Sequence, residues 1–226
     1  MGDQGLCGFS YVDTLVGVPF PDEAAMTIPK VSAFPIWHSG NTGTAVIADL
    51  ASGLGVRMTG YMPAGSVNSL TYAAVPVVVG SEGWQATARM RNHIGLVAFG
   101  GDRGIIMRDA VSGQSVTYGW NAYDAQGFNR SLYVDDDTAT TNDYMVPWHD
   151  HNWWIRVKDD LTYWYCYVSP NGTFWQQIYR EARNTDLGTT PTHVGIFINP
   201  DYYLLHTWSD GYAVASDCYS WLFEVL

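Results

Sequence analysis

The side chains that could carry chemistry in this sequence are few, and their spacing limits what they can do. Hydrolysis of a glycosidic bond needs two carboxyl groups flanking it, one an acid and the other a nucleophile or base. The chain has four glutamates, Glu23, Glu82, Glu181 and Glu224, and none has an Asp two residues on. His149 and His151 are two apart, a spacing that on a strand puts both rings on one face and suits zinc. No third ligand lies near them, His193 and His206 being distant, so the pair reads as a polar loop leading into Trp153. Asp135, Asp136 and Asp137, with Asn142 and Asp143, could offer oxygens to calcium. They lack the alternating acidic spacing and the glycine of a tight calcium loop and read as a solvated turn. Gly100, Gly101 and Gly104 join two predicted strands and open no helix, so they form a turn rather than a phosphate cradle. No metal and no cofactor are expected.

What remains is aromatic. Trp120, Tyr123, Trp148, Tyr202, Tyr203 and Trp208 fall in or beside predicted loops, where a core does not need them. Such rings stack on the apolar C–H faces of sugars while neighbouring Asp and Asn accept hydroxyl hydrogen bonds. Trp and Tyr equally anchor protein–protein interfaces. These six are the candidate ligand or partner contacts, with the interface reading placed first.

The elements that must position them are strands. Trp153 to Tyr179 carries three runs rich in aromatic and β-branched residues, expected as strands over 153–158, 162–169 and 173–180. Asp159-Asp160 and Pro170-Asn171-Gly172 are the turn signals between them. The middle run is apolar on both faces, which predicts a central strand covered twice, with Trp153, Trp164, Tyr165 and Trp175 buried. Trp84 to Arg91 alternates cleanly, with Trp84, Ala86, Ala88 and Met90 facing one way and Gln85, Thr87, Arg89 and Arg91 the other. Further strands are expected over 44–50, 55–61, 70–79, 95–99, 104–109, 114–120, 192–199 and 219–225. Pro76 argues for an edge or a bulge. A long connection is expected within Gly119–Val134, and loops over 135–143 and 200–217. Residues 1–40, broken by Pro19, Pro21, Pro29 and Pro35, read as an arm, and 41–226 as one domain. The arm carries Phe9, Tyr11, Phe20, Phe34 and Trp37, too apolar for a solvated linker, so it must pack on its own domain or on a neighbour.

Charge and composition exclude some partners. The formal charge is −11, with Lys30 and Lys158 the only lysines, so no basic stripe is evident and nucleic acid is not an expected partner. Acidity at this level favours solubility. Three cysteines, Cys7, Cys166 and Cys218, make no disulfide framework. The start, MGDQGLCGFS, has no basic region and no apolar core of a secretory signal, and the longest apolar run, 72–79, is too short to span a membrane.

The order WQATARMR, GLVAF, GIIMRDAVSGQSVTYG, WWIRVKDDLTYWYCYVSPNGTFW and THVGIFIN resembles the concanavalin A-like lectin/glucanase superfamily. The closest match is W-x-R-x-x-D-D-x-T…Y-x-S-x-N-G-x-x-W, here Trp154, Arg156, Asp159, Asp160, Thr162, Tyr167, Ser169, Asn171, Gly172 and Trp175. The resemblance covers about residues 84–225. It implies an all-β, two-sheet antiparallel jelly-roll sandwich, here with an extended N-terminal arm. It says little about activity, because the superfamily holds lectins, hydrolases, adhesion modules and viral structural domains. Its glucanases take their carboxyl pair from E-x-D-x-E or E-x-D-x-x-E, which is absent here, so no enzymatic activity is expected. A lectin-like module without an export signal and with an apolar arm is expected to be a virion structural protein of a bacteriophage: a capsid decoration, fibre or tail-appendage component. Its expected partners are other virion proteins or copies of itself, as a homo-oligomer or lattice-bound, with a host-surface glycan as a possible ligand. A free carbohydrate-binding lectin is the alternative, and a glycoside hydrolase or lyase without the usual motif the third reading.

Overall fold

The computed structural model describes residues 26–39, 44–62, 70–93, 102–121, 127–134, 139–147, 152–183, 185–187, 190–199 and 212–226. Apart from a 3-10 turn at Val31–Ala33, the regular elements in these residues are strands. They are β1 (Ile36–His38), β2 (Thr44–Asp49), β3 (Val56–Met62), β4 (Thr71–Pro76), β5 (Trp84–His93), β6 (Asp102–Arg108) and β7 (Ser115–Asn121). They continue as β8 (Gly127–Tyr133), β9 (Ala139–Pro147), β10 (Asn152–Asp159), β11 (Tyr163–Ser169), β12 (Gln176–Ala182), β13 (His193–Asn199) and β14 (Tyr212–Val225). The first sheet runs β1-β4-β13-β6-β7-β8-β9 and the second β12-β11-β10-β5-β14-β3-β2. Neighbouring strands are antiparallel throughout. This is the two-sheet sandwich that the sequence predicts.

The sheets meet through large apolar side chains at every second position. Trp84 of β5, Trp153 of β10 and Trp164 of β11 are fully buried and lie in one cluster with Ile105, Val116, Phe128, Val194 and Ile196 of the first sheet. Phe128 meets Trp153 edge-on, with ring centroids 4.8 Å apart, a geometry the ring quadrupoles favour. Cys166 and Cys218 are buried free thiols in the same core. Burial pushes both up, Cys218 to about 12, so they pack as small apolar groups.

Each open side of the sandwich is closed differently. On one, Arg130 of β8 reaches across to Glu181 of β12 at 3.0 Å and also pairs with Asp186, while the Tyr118 hydroxyl donates to Glu181 at 2.6 Å. On the other, Thr27 pairs with Trp221 beyond the end of β3, Phe34 packs on Trp221 with centroids 5.4 Å apart, and β1 adds itself to β4. Residues 26–38 therefore link the two sheets of their own chain. The remainder of the expected arm lies outside the described residues.

Several expectations are corrected. The long connection over 119–134 and the acidic loop over 135–143 contain β8 and β9. Both faces of β8 carry buried polar groups, Asn129 and Ser131 outward and Arg130 inward, so the hydropathy alternation that marks a strand is missing. The chain re-enters the second sheet at Tyr212, so β14 takes in the last part of the expected 200–217 loop. Pro76 ends β4; β4 is flanked by β1 and β13, but β1 pairs only with Tyr72 to Ala74, so Pro76 faces a strand on the β13 side alone. Strand β11 is internal, as expected, but Tyr165 is only half-buried because it lies on the outer face. The segment 95–99 lies outside the described residues.

Replacing Trp164 with Ala should lower unfolding stability by about 3–5 kcal/mol; an unchanged denaturant midpoint would show that the sheets do not pack on this ring. Phe34→Ala should cost a similar amount, about 3–5 kcal/mol, in the isolated chain. No loss there would place the 26–38 segment off its own sandwich.

Candidate functional site

Because strands present alternate residues to opposite faces, the pattern that buries the tryptophans also fixes what the second sheet shows outward. From β11 come Tyr163, Tyr165 and Tyr167, from β10 Trp154, Arg156 and Lys158, and from β5 Gln85, Thr87, Arg89 and Arg91. The pairing register sets them in rows. One row is Arg180, Tyr165, Lys158, Gln85 and Glu224; the next is Gln177, Tyr167, Arg156, Thr87 and Leu222. A third holds Trp154, Arg89 and Ser220, and a fourth Arg91, Asp217 and Arg57.

The three tyrosines form a ladder along β11, with centroids 6.2 Å apart from Tyr163 to Tyr165 and 6.0 Å from Tyr165 to Tyr167. Tyr163 and Tyr165 are half-buried, so part of each ring meets solvent. Arg180 lies 4.6 Å from the Tyr163 ring centre. Arg89 lies 5.7 Å from Trp154 and 5.8 Å from Tyr219. Arg156 is the buried member. Its Nε donates to Thr87 at 3.1 Å, its guanidinium lies 4.0 Å from the centre of the Trp175 ring, and Nη1 and Nη2 are buried without a partner. Burial pulls its pKa down to about 10, against the opposing charge of Glu224.

The turns beside the ladder are built from the motif residues. The Asp160 carboxylate accepts the N–H of Thr162 at 2.9 Å, the N–H of Tyr163 at 2.7 Å and the Tyr165 hydroxyl at 2.8 Å. Asp159 accepts from Leu161, whose φ is +72°, and from Arg183. At the other end, Ser169 Oγ accepts the N–H of Gly172 at 2.9 Å and Asn171 Oδ1 those of Thr173 and Phe174 at 3.0 Å. Gly172 has φ +78°, and a Cβ there would lie 2.9 Å from the Trp154 indole, so only glycine fits under that ring. The signature therefore fixes the hairpin and the rings Trp154, Tyr167 and Trp175, which pack together.

The outer face of the first sheet differs. Leu70, Tyr72, Ala74, Ile106, Tyr133 and Phe197 form a second buried cluster there. Asp102 Oδ1 accepts from Asn129 at 3.3 Å and Oδ2 from Ser131 at 3.5 Å, while Asn199 donates to the Tyr133 hydroxyl at 2.9 Å. These polar groups are buried and answer one another. Among the described residues of that face Asp102 is the one carboxylate.

Of the six aromatics singled out in the sequence, Trp120 lies not at a loop but on the inner face of β7, 3% exposed, with Arg103 4.8 Å from its ring centre. It belongs to the core. Tyr123, Trp148, Tyr202, Tyr203 and Trp208 lie outside the described residues, as do His149, His151 and Asp135 to Asp137. His193 is in β13, with Nδ1 3.0 Å from Thr192 Oγ1, and burial lowers its pKa. No three His, Cys, Asp or Glu side chains converge as a metal site among the described residues. The tyrosine ladder was hidden in the sequence because each ring reads as core until the Trp164–Cys166–Val168 face claims the interior.

Burial raises the Asp160 carboxyl, and the N–H groups of Tyr163 and Thr162 with the Tyr165 hydroxyl more than offset it, leaving the group below its ordinary 3.8. A carboxyl lowered on folding adds stability that is fully present above the ordinary value and lost as pH falls through the folded one. Asp160→Asn, which cannot titrate, should flatten this acid limb of melting temperature against pH. An unchanged limb would show that the turn is not held by charge.

No protein-family model and no curated protein matches the chain. Among solved structures it is similar to a functionally unknown protein from Saccharomyces cerevisiae, at 12% identity and TM-score 0.56 over 88% of this chain and 99% of that one. It is also similar to the VIP36 exoplasmic/lumenal domain in its Ca2+/Man-bound form, at 11% identity and TM-score 0.51 over 91% of both chains. A third is the carbohydrate binding module CBM66 from Bacillus subtilis, at 8% identity and TM-score 0.50 over 88% of this chain and 99% of that one. At these identities the likeness is one of fold, and the chain is a jelly roll of the concanavalin A-like kind.

Proposed function

We propose that the protein is a non-enzymatic carbohydrate-binding module that holds a glycan on the outer face of its second sheet. The observation that carries the reading is the ladder Tyr163–Tyr165–Tyr167, in which Tyr167 is buried and anchors the line while Tyr163 and Tyr165 present part of each ring to solvent beside hydrogen-bonding groups. Aromatic faces take up the apolar C–H surfaces of pyranose rings, and polar neighbours orient the hydroxyls. Arg180, Lys158, Gln177 and Asp160 are those neighbours. The similar folds of a lectin domain and a carbohydrate binding module support the same reading.

Binding without hydrolysis is supported by the glutamates. Glu181 is engaged between the sheets by Arg130 and Tyr118, and Glu224 is bound by Gln85. The two stand on opposite faces of the second sheet, Glu181 level with the inward Trp164 and Glu224 with the outward Gln85. The setting we propose is the one expected from the sequence, a virion structural component whose lectin-like face aids attachment to host glycans. The composition of the apolar, proline-rich N-terminal segment is its support. Strictly monomeric behaviour in light scattering would speak against a lattice-bound role.

The test of the binding face is Tyr165→Ala on an oligosaccharide array spanning neutral and acidic sugars. The wild type should retain a defined set and the variant, with an unchanged circular dichroism spectrum, should lose it. A variant that binds as well as the wild type would remove the ladder from the site.

A further inference from the structure

We infer that the ligand of this face is an acidic polysaccharide, a chain whose sugars carry carboxylate or sulfate groups. This rests on the carbohydrate-binding reading and deepens it. The protein as a whole is strongly acidic, with 11 Lys and Arg against 22 Asp and Glu. Strand register nevertheless brings Arg57, Arg89, Arg91, Arg156, Lys158 and Arg180, six of those eleven cations, to the outer face of the second sheet. Against these six, strand register and hydrogen bonding bring Asp217, Glu224 and Asp160 to that face, so among the described residues placed there cations outnumber carboxylates six to three.

Those carboxylates are already engaged. Asp217 is held by Arg57 at 2.6 and 2.9 Å, Glu224 by Gln85, and Asp160 by its own turn and Tyr165. Among the described residues Arg89, Arg91, Lys158 and Arg180 make no ion pair. Arg89, Arg91 and Arg180 are also exposed. At the centre of the same face, Arg156 keeps two guanidinium nitrogens buried and unpartnered against Trp175. Arg156 is fully buried, so it adds positive charge beneath the face, and the exposed Arg89, Arg91 and Arg180 are the groups that can meet an external anion in charge-assisted hydrogen bonds.

Ring and charge alternate on the face. Arg180, Tyr165 and Lys158 stand on adjacent strands in one row, and Trp154 stands beside Arg89 in another. Adjacent strands lie about 4.8 Å apart, so a sugar stacked on Tyr165 brings its charged substituent within reach of a cation on either side. The remaining negative charge of the protein is screened beyond about 8 Å at physiological ionic strength, so the local excess governs contact.

Paired polymers of one backbone test this: polygalacturonate against its full methyl ester, and dextran sulfate against dextran, by affinity electrophoresis. At least one acidic member should retard the protein while its neutral partner does not. Arg89→Ser with Arg180→Ser should weaken that retardation roughly tenfold, as the loss of two exposed ion pairs implies, and Tyr165→Ala should weaken it as well. Equal retardation by the neutral polymers would overturn the charge inference and leave the carbohydrate reading standing. Binding lost with the two arginines but indifferent to Tyr165 would mark plain polyanion attraction and overturn it too. Retardation by none of the four, with single-stranded DNA bound through the same arginines, would overturn both.

Discussion

Burying Trp84, Trp153 and Trp164 between two sheets is the constraint on which the rest of the structure depends. Each sits on a strand whose side chains alternate, so placing the indoles inward leaves no freedom over their neighbours. Gln85, Thr87, Arg89 and Arg91 must face out from β5; Trp154, Arg156 and Lys158 from β10; Tyr163, Tyr165 and Tyr167 from β11. A register slip of one residue would put the cations into the core and the tryptophans into water. The chemistry of the outer face is thus a consequence of the core packing. The indole N–H groups of Trp84, Trp153 and Trp164 find no acceptor, a cost that the large apolar bodies of these rings outweigh.

The two outer faces divide the work. That of the first sheet is buried, and its polar groups, Asp102 with Asn129 and Ser131 and Asn199 with Tyr133, are spent on one another. That of the second sheet is buried at Gln85, Thr87, Trp154, Arg156 and Tyr167, and beside them keeps the half-exposed rings of Tyr163 and Tyr165 and the exposed Arg89, Arg91 and Arg180. Buried polar groups that answer each other rigidify a sheet, whereas exposed ones without partners are what a ligand can use.

Much of the fold was legible in the sequence, and the binding face was not. The alternation of Trp84–Arg91 and the turn chemistry of Asp160 and of Asn171-Gly172 are local signals, and local signals suffice to place β5, β10 and β11. Strand β8 escaped because its polar residues pair across the sheet or between sheets, Asn129 and Ser131 with Asp102 and Arg130 with Glu181, and such partners are far apart in the chain; β9 escaped because its composition is that of a polar loop. The cationic face escaped for a related reason. Arg57, Arg89, Lys158 and Arg180 are scattered in sequence and look like no stripe until the strand order sets β3, β5, β10 and β12 in one sheet. Trp120 misled because it stands at the end of a strand, where composition alone cannot say which face it takes.

The central claim is that the second sheet's outer face is the ligand face. Amide chemical-shift mapping of the protein with an acidic oligosaccharide such as oligogalacturonate tests it most directly. The account predicts the largest changes along β11, β10 and β5, around Tyr165, Lys158 and Arg89. Changes centred instead on Asp102, Asn129 and Asn199 would contradict it and assign the ligand to the other sheet.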